Sequence, residues 1–314
     1  MQPIIAPVAP ELIMEELTPD KLLRPTNKGR NNIYIFSAHE APHTMREVGR
    51  LREEAFRAGG GGSGLACDID EYDLDPLGYK QLVVWNPEAQ VIVGGYRYIL
   101  GSDVVKHPKG TDILATSHMF DYSDEFVRDI LPYTIELGSS FVSNDFQSNR
   151  FHNLSIFALD NLWDGLGALT VLNPEIQYFF GKVTMYANYN RRCRNLILHF
   201  MQRHFHDDRH LVTPKQPLTI DVDPEEMNRL FSAGTLSADY LALKREVRKT
   251  GISIPPLFSA YISLSPQLLF LGTAINYEFS EVEETGILIR IDQILEEKKE
   301  RHINTFQKTS HPAS

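Results

Sequence analysis

Apolar residues recur along this chain with two different periods. At Met45, Val48, Leu51 and Ala55 they return every three or four positions, which predicts a helix over 43–57. At 82–85 and 91–100 they form short runs separated by the turn Asn86-Pro87-Glu88-Ala89, which predicts a β-hairpin. Further strands are expected at 33–36, 134–142, 176–186, 268–276 and 287–291. Helices are expected at 123–130, at 154–166 with Asn153 as its N-cap, and at 191–205 with Leu196, Ile197, Phe200 and Met201 facing inward. Others follow at 224–231, 239–250 and 255–261, and a charged, solvated one at 293–303. A hairpin followed by alternating strands and helices reads as an α/β fold, a mixed central sheet flanked by helices. Residues 1–32 read as a proline-rich extended arm, 33–292 as the main domain, and 293–314 as a C-terminal helix and tail.

The 314 residues are 42% hydrophobic, enough for a full core, and carry a formal net charge of -10. That charge repels nucleic acid at long range, so an anionic partner needs a local basic patch. Cys67 and Cys193 lie far apart without a metal-ligand spacing, which fits a reducing, cytoplasmic setting. The apolar start is broken by Pro3, Pro7 and Pro10 and lacks a basic region, so it does not read as a signal peptide. No run approaches the roughly 18 apolar residues of a membrane span. The glycines at 59–62, followed by Ser63 and Gly64, lack the Lys-Ser/Thr of a phosphate loop and are read as a flexible loop over a pocket.

The candidate chemistry is ionisable residues placed on apolar strands. Arg97 sits between Tyr96 and Tyr98, and alternation puts it on the opposite face. Glu136 enters the strand Ile135-Glu136-Leu137-Gly138. It is either half of a structural ion pair, with Arg97 as the partner, or a general base raised by desolvation. Asp68, Asp70 and Asp73 form either a solvated acidic loop or a site for a substrate ammonium whose carboxylate an arginine would hold. His206-Asp207-Asp208-Arg209-His210 lacks a defined ligand spacing, and no metal is assigned. Ser139-Ser140 has no nucleophile elbow around it. Arg191, Arg192 and Arg194 open a helix where cations oppose the macrodipole, and Arg150 precedes another. Either a phosphate or acidic protein docks there, or they are plain surface charge.

Taken together, several segments resemble one family. They are Arg52-x-x-x-Phe56, Asp68-x-Asp70-x-Tyr72-Asp73, Gly94-Gly95-Tyr96-Arg97, Glu136-Leu137-Gly138-x-Ser140-Phe141-Val142 and Leu162-Trp163-x-Gly165. Their order resembles the ornithine-lipid and glycine-lipid N-acyltransferases, acyl-carrier-protein-dependent members of the GNAT superfamily sometimes labelled hemolysin-like. A more distant likeness runs to acyl-homoserine-lactone synthases. The likeness spans roughly residues 45 to 290, and the stretches from Phe157, Ile254 and Gly272 look most like the glycine-lipid branch.

The resemblance implies a GNAT fold in which two strands splay to admit the thioester arm of an acyl donor, with Gly138 and Gly181 in those strands. It implies that Glu136 is the base, that Asp70 and Asp73 orient the amine, and that Arg97 holds the carboxylate, while Arg52 and Phe56 match the first-helix residues. Ser139 stands where the family usually has arginine, and the phosphate-loop pattern of CoA-dependent GNAT enzymes is not evident. The implied activity is transfer of a long, 3-hydroxylated fatty acyl chain from acyl carrier protein to the α-amine of a small amino acid, glycine or ornithine. The thioester, acyl-ACP or acyl-CoA, is a co-substrate, and no tightly bound cofactor is implied. Arg150, Arg191, Arg192 and Arg194 are the expected carrier-protein contacts. The expected setting is the cytoplasm, with peripheral contact at the inner membrane face left open. A CoA-dependent acetyltransferase and a catalytically silent GNAT-fold binding protein remain as alternatives.

Overall fold

The computed structural model describes residues 1–147 and 157–306. Its strands are β1 (Leu22–Pro25), β2 (Asn32–Phe36), β3 (Lys80–Asn86), β4 (Val91–Leu100), β5 (Phe120–Tyr122), β6 (Thr134–Val142), β7 (Tyr178–Met185), β8 (Val212–Pro214), β9 (Leu269–Asn276) and β10 (Val282–Arg290). The helices are α1 (Pro10–Glu16), α2 (Pro42–Gly59), α3 (Glu71–Leu74), α4 (Gly101–Lys106), α5 (Asn144–Gln147) and α6 (Ala158–Leu172). After them come α7 (Arg191–Phe205), α8 (Pro224–Leu230), α9 (Leu236–Arg248), α10 (Pro256–Ile262) and α11 (Glu296–His302).

Eight strands form one sheet in the order β1-β2-β3-β4-β6-β7-β10-β9. Every neighbouring pair in it is antiparallel except β6 with β7, which is parallel. This is the mixed α/β sheet flanked by helices that the patterning predicts. One face packs on α6, α7, α9 and α10 through residues such as Leu166, Ile197, Leu243 and Phe258. The other face carries two apolar patches. Met45, Val48 and Leu51 of α2 cover Val83, Trp85 and Phe141, while Ile113, Phe126 and Leu131 cover Ile99, Phe180 and Leu288. Between those patches the same face carries Gln81, Arg97 and Glu136, all buried.

Three expectations change. The N-terminal arm is not simply extended: α1 packs Ile13 into the core, and β1 pairs with β2 at the sheet edge. Its Glu16 carboxylate caps α2 by accepting from the backbone N–H groups of His43 (2.9 Å) and Thr44 (2.7 Å). Proline masked α1, since Pro10 sits at its start, where a missing N–H costs nothing. The glycine-rich loop is tied down, because the buried Glu53 carboxylate accepts from Ser63 N–H (3.0 Å), Ser63 Oγ (2.8 Å) and Gly64 N–H (2.8 Å). The last helix is anchored rather than solvated: His302 is buried and bonds Asp164 at 2.8 Å, which also accepts from the Asn27 backbone and side chain. The cap expected at Asn153 lies outside the described residues.

The anchoring of α11 makes a prediction. A Cβ on Gly167 of α6 would stand 2.1 Å from the His302 carbonyl oxygen. Gly167→Ala is expected to cost about 1–3 kcal/mol by overpacking, read as a lower urea midpoint with an unchanged slope.

Candidate active site

The parallel pair β6–β7 is short. Register holds from Thr134 opposite Tyr178 to Leu137 opposite Gly181 and then stops. Beyond that point Gly138, Phe141 and Val142 pair with β4, while Lys182 to Met185 pair with β10. The two strands therefore part in the middle of the sheet. A Cβ on Gly181 would meet the Leu137 carbonyl at 2.8 Å, so glycine permits the last close pair before the gap. On β6 the register shifts, and Ser139 and Ser140 together face Tyr96, a β-bulge. Ser139 adopts φ +45°, a left-handed conformation uncommon for a residue with a side chain.

Two cavities meet at this gap. One, of about 1320 Å³, is lined chiefly by apolar residues such as Phe141, Val142, Phe146, Leu159, Met185 and Tyr189. The other, of about 370 Å³, is polar, and its wall includes Asp68, Asp70, Arg97, Ser139, Lys182 and Glu284. Phe56, Ser140, Thr184 and Leu257 line both. Phe56 is held there by an edge-on contact with Phe279 at 5.2 Å.

Arg52, Asp73, Arg97 and Asp70 form one alternating chain of charges. Arg52 Nη1 donates to Asp73 Oδ2 at 2.9 Å, and Arg52 Nη2 donates to Gln81 Oε1 at 2.7 Å. Gln81 in turn donates to Asp73 Oδ1 at 2.8 Å. Arg97 Nη1 lies 3.3 Å from Asp73 and 2.6 Å from Asp70. Asp70 caps α3, accepting from the N–H groups of Tyr72 and Asp73, both at 3.0 Å. The Arg97 guanidinium also lies over the rings of Tyr79 (5.0 Å) and Tyr72 (5.6 Å). Burial alone would raise the Asp73 carboxyl, but Arg52 and Arg97 outweigh it and hold it well below the usual carboxylate range. Burial likewise opposes the charge on Arg97, and Asp73 and Asp70 more than offset it.

Glu136 does not pair with Arg97. Thr116 Oγ1 donates to its Oε1 at 2.6 Å, and the Tyr79 hydroxyl donates to its Oε2. Tyr79 accepts in turn from the Ala115 N–H at 2.8 Å. Burial raises the Glu136 carboxyl, and these two hydroxyl bonds oppose the rise. It is 2% exposed and is not among the residues lining the polar chamber. Both its oxygens are engaged, which sets it behind Tyr79 rather than at the gap.

Across the chamber stands a group that the patterning missed. The buried Glu284 accepts from Lys182 Nζ at 2.9 Å and from Thr184 Oγ1 at 2.8 Å. His118 lines the same wall, and burial lowers its imidazole below the usual range with help from Lys182. The signal for Glu284 was its strand neighbour: Lys182 and Thr184 alternate onto one face of β7, and Glu284 lies opposite Thr184.

The expected carrier contacts scatter. Arg191 is exposed, Arg192 is engaged with Glu226 at 2.5 Å, and Arg194 is buried beside Glu283 at 3.3 Å. Arg150 lies outside the described residues. Among the described residues no three His, Cys, Asp or Glu side chains converge as a metal site, and no helix is long and apolar enough to cross a membrane.

The chain is similar to several known proteins. Residues 51–156 match the acetyltransferase (GNAT) domain family. A glycine N(alpha)-acyltransferase of Bacteroides thetaiotaomicron is 58% identical over 99% of this chain and 92% of its own length. A second, from Phocaeicola vulgatus, is 54% identical over 99% of this chain and 95% of its own. Among solved structures, FeeM, an N-acyl amino acid synthase from uncultured soil microbes, aligns over 88% of this chain and 99% of its own with a TM-score of 0.39 at 12% identity.

The Arg52–Asp73 pair is 1% exposed on both sides, so removing one partner strands a buried charge. Asp73→Ala is expected to destabilise the fold by about 3–5 kcal/mol. A carboxyl held below its ordinary pKa contributes stability that is complete above about pH 4 and is lost as pH falls toward the folded value. The variant should therefore show a shallower loss of melting temperature between pH 4 and 2 than the parent in a thermal scan.

Proposed function

The chain belongs to the glycine N(alpha)-acyltransferase family, and we propose that it moves a long fatty acyl chain from a thioester donor to the α-amine of glycine. It is an acyltransferase. The observation that carries it is the meeting of a large apolar cavity and a small charged chamber at the parting of β6 and β7. An acetyl group needs little room. A cavity of about 1320 Å³ exceeds the roughly 300–1,000 Å³ that holds a drug-sized ligand, and suits a long chain. The 3-hydroxyl would lie near the polar end, where Ser140 and Thr184 line both cavities.

In this reading the thioester carbonyl sits in the gap. Arg97 and Lys182, on opposite walls, hold the amino-acid carboxylate, and Lys182 supplies the cation that the family places at Ser139. Asp70 and Asp73 keep Arg97 fixed, and Asp70, the more exposed of the two, also faces the ammonium. Arg52 and Phe56 hold this wall in place. Glu136 positions Tyr79 beneath the Arg97 guanidinium. Backbone N–H groups around the Ser139 bulge stabilise the oxyanion of the tetrahedral intermediate. Alignment of the two reactants supplies most of the rate.

The donor is an acyl carrier protein in this reading. Arg191 and Arg248 are both exposed, and Arg248 lines the apolar cavity. The Cys193–Thr250 contact of 3.3 Å holds their two helix ends together. The product would be a lipid, and exposed Leu12 and Met14 on α1 suit contact with the inner membrane face.

Thioester consumption with a panel of donors and amino acids tests the reading. Long-chain donors with glycine should turn over, and acetyl-CoA should not; the reverse preference would favour an acetyltransferase, and no turnover a binding protein. Met185→Trp, which fills the apolar cavity, should shift preference to shorter chains, by about fourfold for each methylene excluded. Arg191→Glu should raise KM for the carrier-protein donor and leave KM for acyl-CoA unchanged.

A further inference from the structure

We propose that Asp68 is the general base that takes the proton from the substrate ammonium, an inference that rests on reading the polar chamber as the amino-acid site. Each neighbouring carboxylate is already committed: Asp70 to Arg97 and the α3 cap, Asp73 to Arg52 and Gln81, Glu284 to Lys182 and Thr184. Glu136 is committed to Tyr79 and Thr116 and stands outside the chamber wall. The remaining acids on the wall, Glu71 and Glu278, are exposed to solvent. Asp68 lines the chamber, is half-buried, and among the described residues its carboxylate makes no hydrogen bond or ion pair.

Its backbone, by contrast, is fixed. The Asp68 N–H donates to the Gly49 carbonyl at 3.0 Å, and its own carbonyl accepts from Arg52 at 3.5 Å. A Cβ on Gly49 would meet that carbonyl at 3.0 Å, so α2 and the Asp68 segment touch backbone to backbone. A rigid main chain carrying an uncommitted carboxylate suits a group that must accept and release a proton.

The electrostatics agree. Loss of water pushes the Asp68 carboxyl up to about 6, against the opposing pull of Arg52 on α2 and Arg97 on β4. Asp73 and Asp70 push in the same direction as burial. Across the chamber face Lys182 of β7, Glu284 of β10 and His118. A base of this strength is ionised at neutral pH and still able to hold a proton.

One ammonium proton passes to Asp68, directly or through one water, and the freed lone pair forms the N–C bond to the thioester carbonyl. The tetrahedral intermediate collapses, the C–S bond breaks, and the thiolate takes a second proton from the same nitrogen. Amide and free thiol leave, and Asp68 returns its proton to solvent.

The test is the pH dependence of thiol release by the full chain with a long-chain acyl thioester and glycine. For the parent, kcat/KM for glycine should rise with pH to a plateau, with its break near 6. Asp68→Asn should lose about 10²–10⁴-fold in rate together with that break, keep its KM for the donor, and recover in part as Asp68→Glu. His118→Gln should keep the break. Folding gives a second readout. A carboxyl raised in the folded state lowers stability as pH climbs from about 4 to about 6, so Asp68→Asn should melt above the parent at pH 7 and converge with it at pH 4. Asp68→Asn with rate within threefold of the parent, or with the break intact while His118→Gln loses it, would overturn the assignment. A parent inactive with glycine, serine, ornithine and lysine alike would overturn the amino-acid site and the base together.

Discussion

Everything in this molecule depends on two neighbouring strands keeping their hydrogen bonds for four residues and then giving them up. An interior strand is hydrogen-bonded on both sides, so two neighbours can part and each still be held in the sheet by the strand on its other side. Here β6 keeps β4 and β7 keeps β10 after Leu137 and Gly181 separate. The sheet thus opens at its centre, and beyond Leu137 and Gly181 the backbone groups of β6 and β7 that face the opening no longer pair with each other. Side chains on the opposite walls of the opening belong to different ladders and are held independently, which is what a site joining two substrates requires.

The charges follow from that opening. Burying Arg97 beside it would cost several kcal/mol if the guanidinium were alone. The chain Arg52–Asp73–Arg97–Asp70 offsets the cost by giving each charge an opposite neighbour within 3.3 Å. Such a network stabilises little in net terms, but it locks Arg97 in one geometry with Tyr72 and Tyr79 around it. Glu136 belongs to the layer behind, fastening Tyr79 to the 115–116 segment. The network consumes the carboxylates within its reach and leaves Asp68 unconsumed. The polar chamber therefore holds a fixed cation, a second cation at Lys182 and, at Asp68, a half-buried acid without a hydrogen-bond or ion-pair partner among the described residues.

Most of the sheet was legible in the sequence because its strands are apolar runs between turn residues, and α2 and α7 because their apolar stripes are regular. The gap was legible only through Gly138 and Gly181 once a family likeness supplied their meaning. Three features were hidden for physical reasons. The strand expected from Ile287 begins at Val282, and its buried Glu284 is accommodated by Lys182 and Thr184 across the ladder. Arg194 reads as surface charge at a helix start, yet it lies three and four residues before Ile197 and Leu198, which puts it on the inward stripe. The choice between Glu136 and Asp68 depends on which hydroxyls reach which oxygens, and no spacing encodes that.

The most direct test of the account is a crystal structure with glycine and a non-hydrolysable long-chain acyl-pantetheine thioether. The carbonyl surrogate should lie between Ser140 and Thr184, with the chain running past Phe141 and Met185 and the glycine carboxylate facing Arg97 and Lys182. A ligand bound along an outer surface, with β6 and β7 closed over regular pairing beyond Leu137, would contradict it.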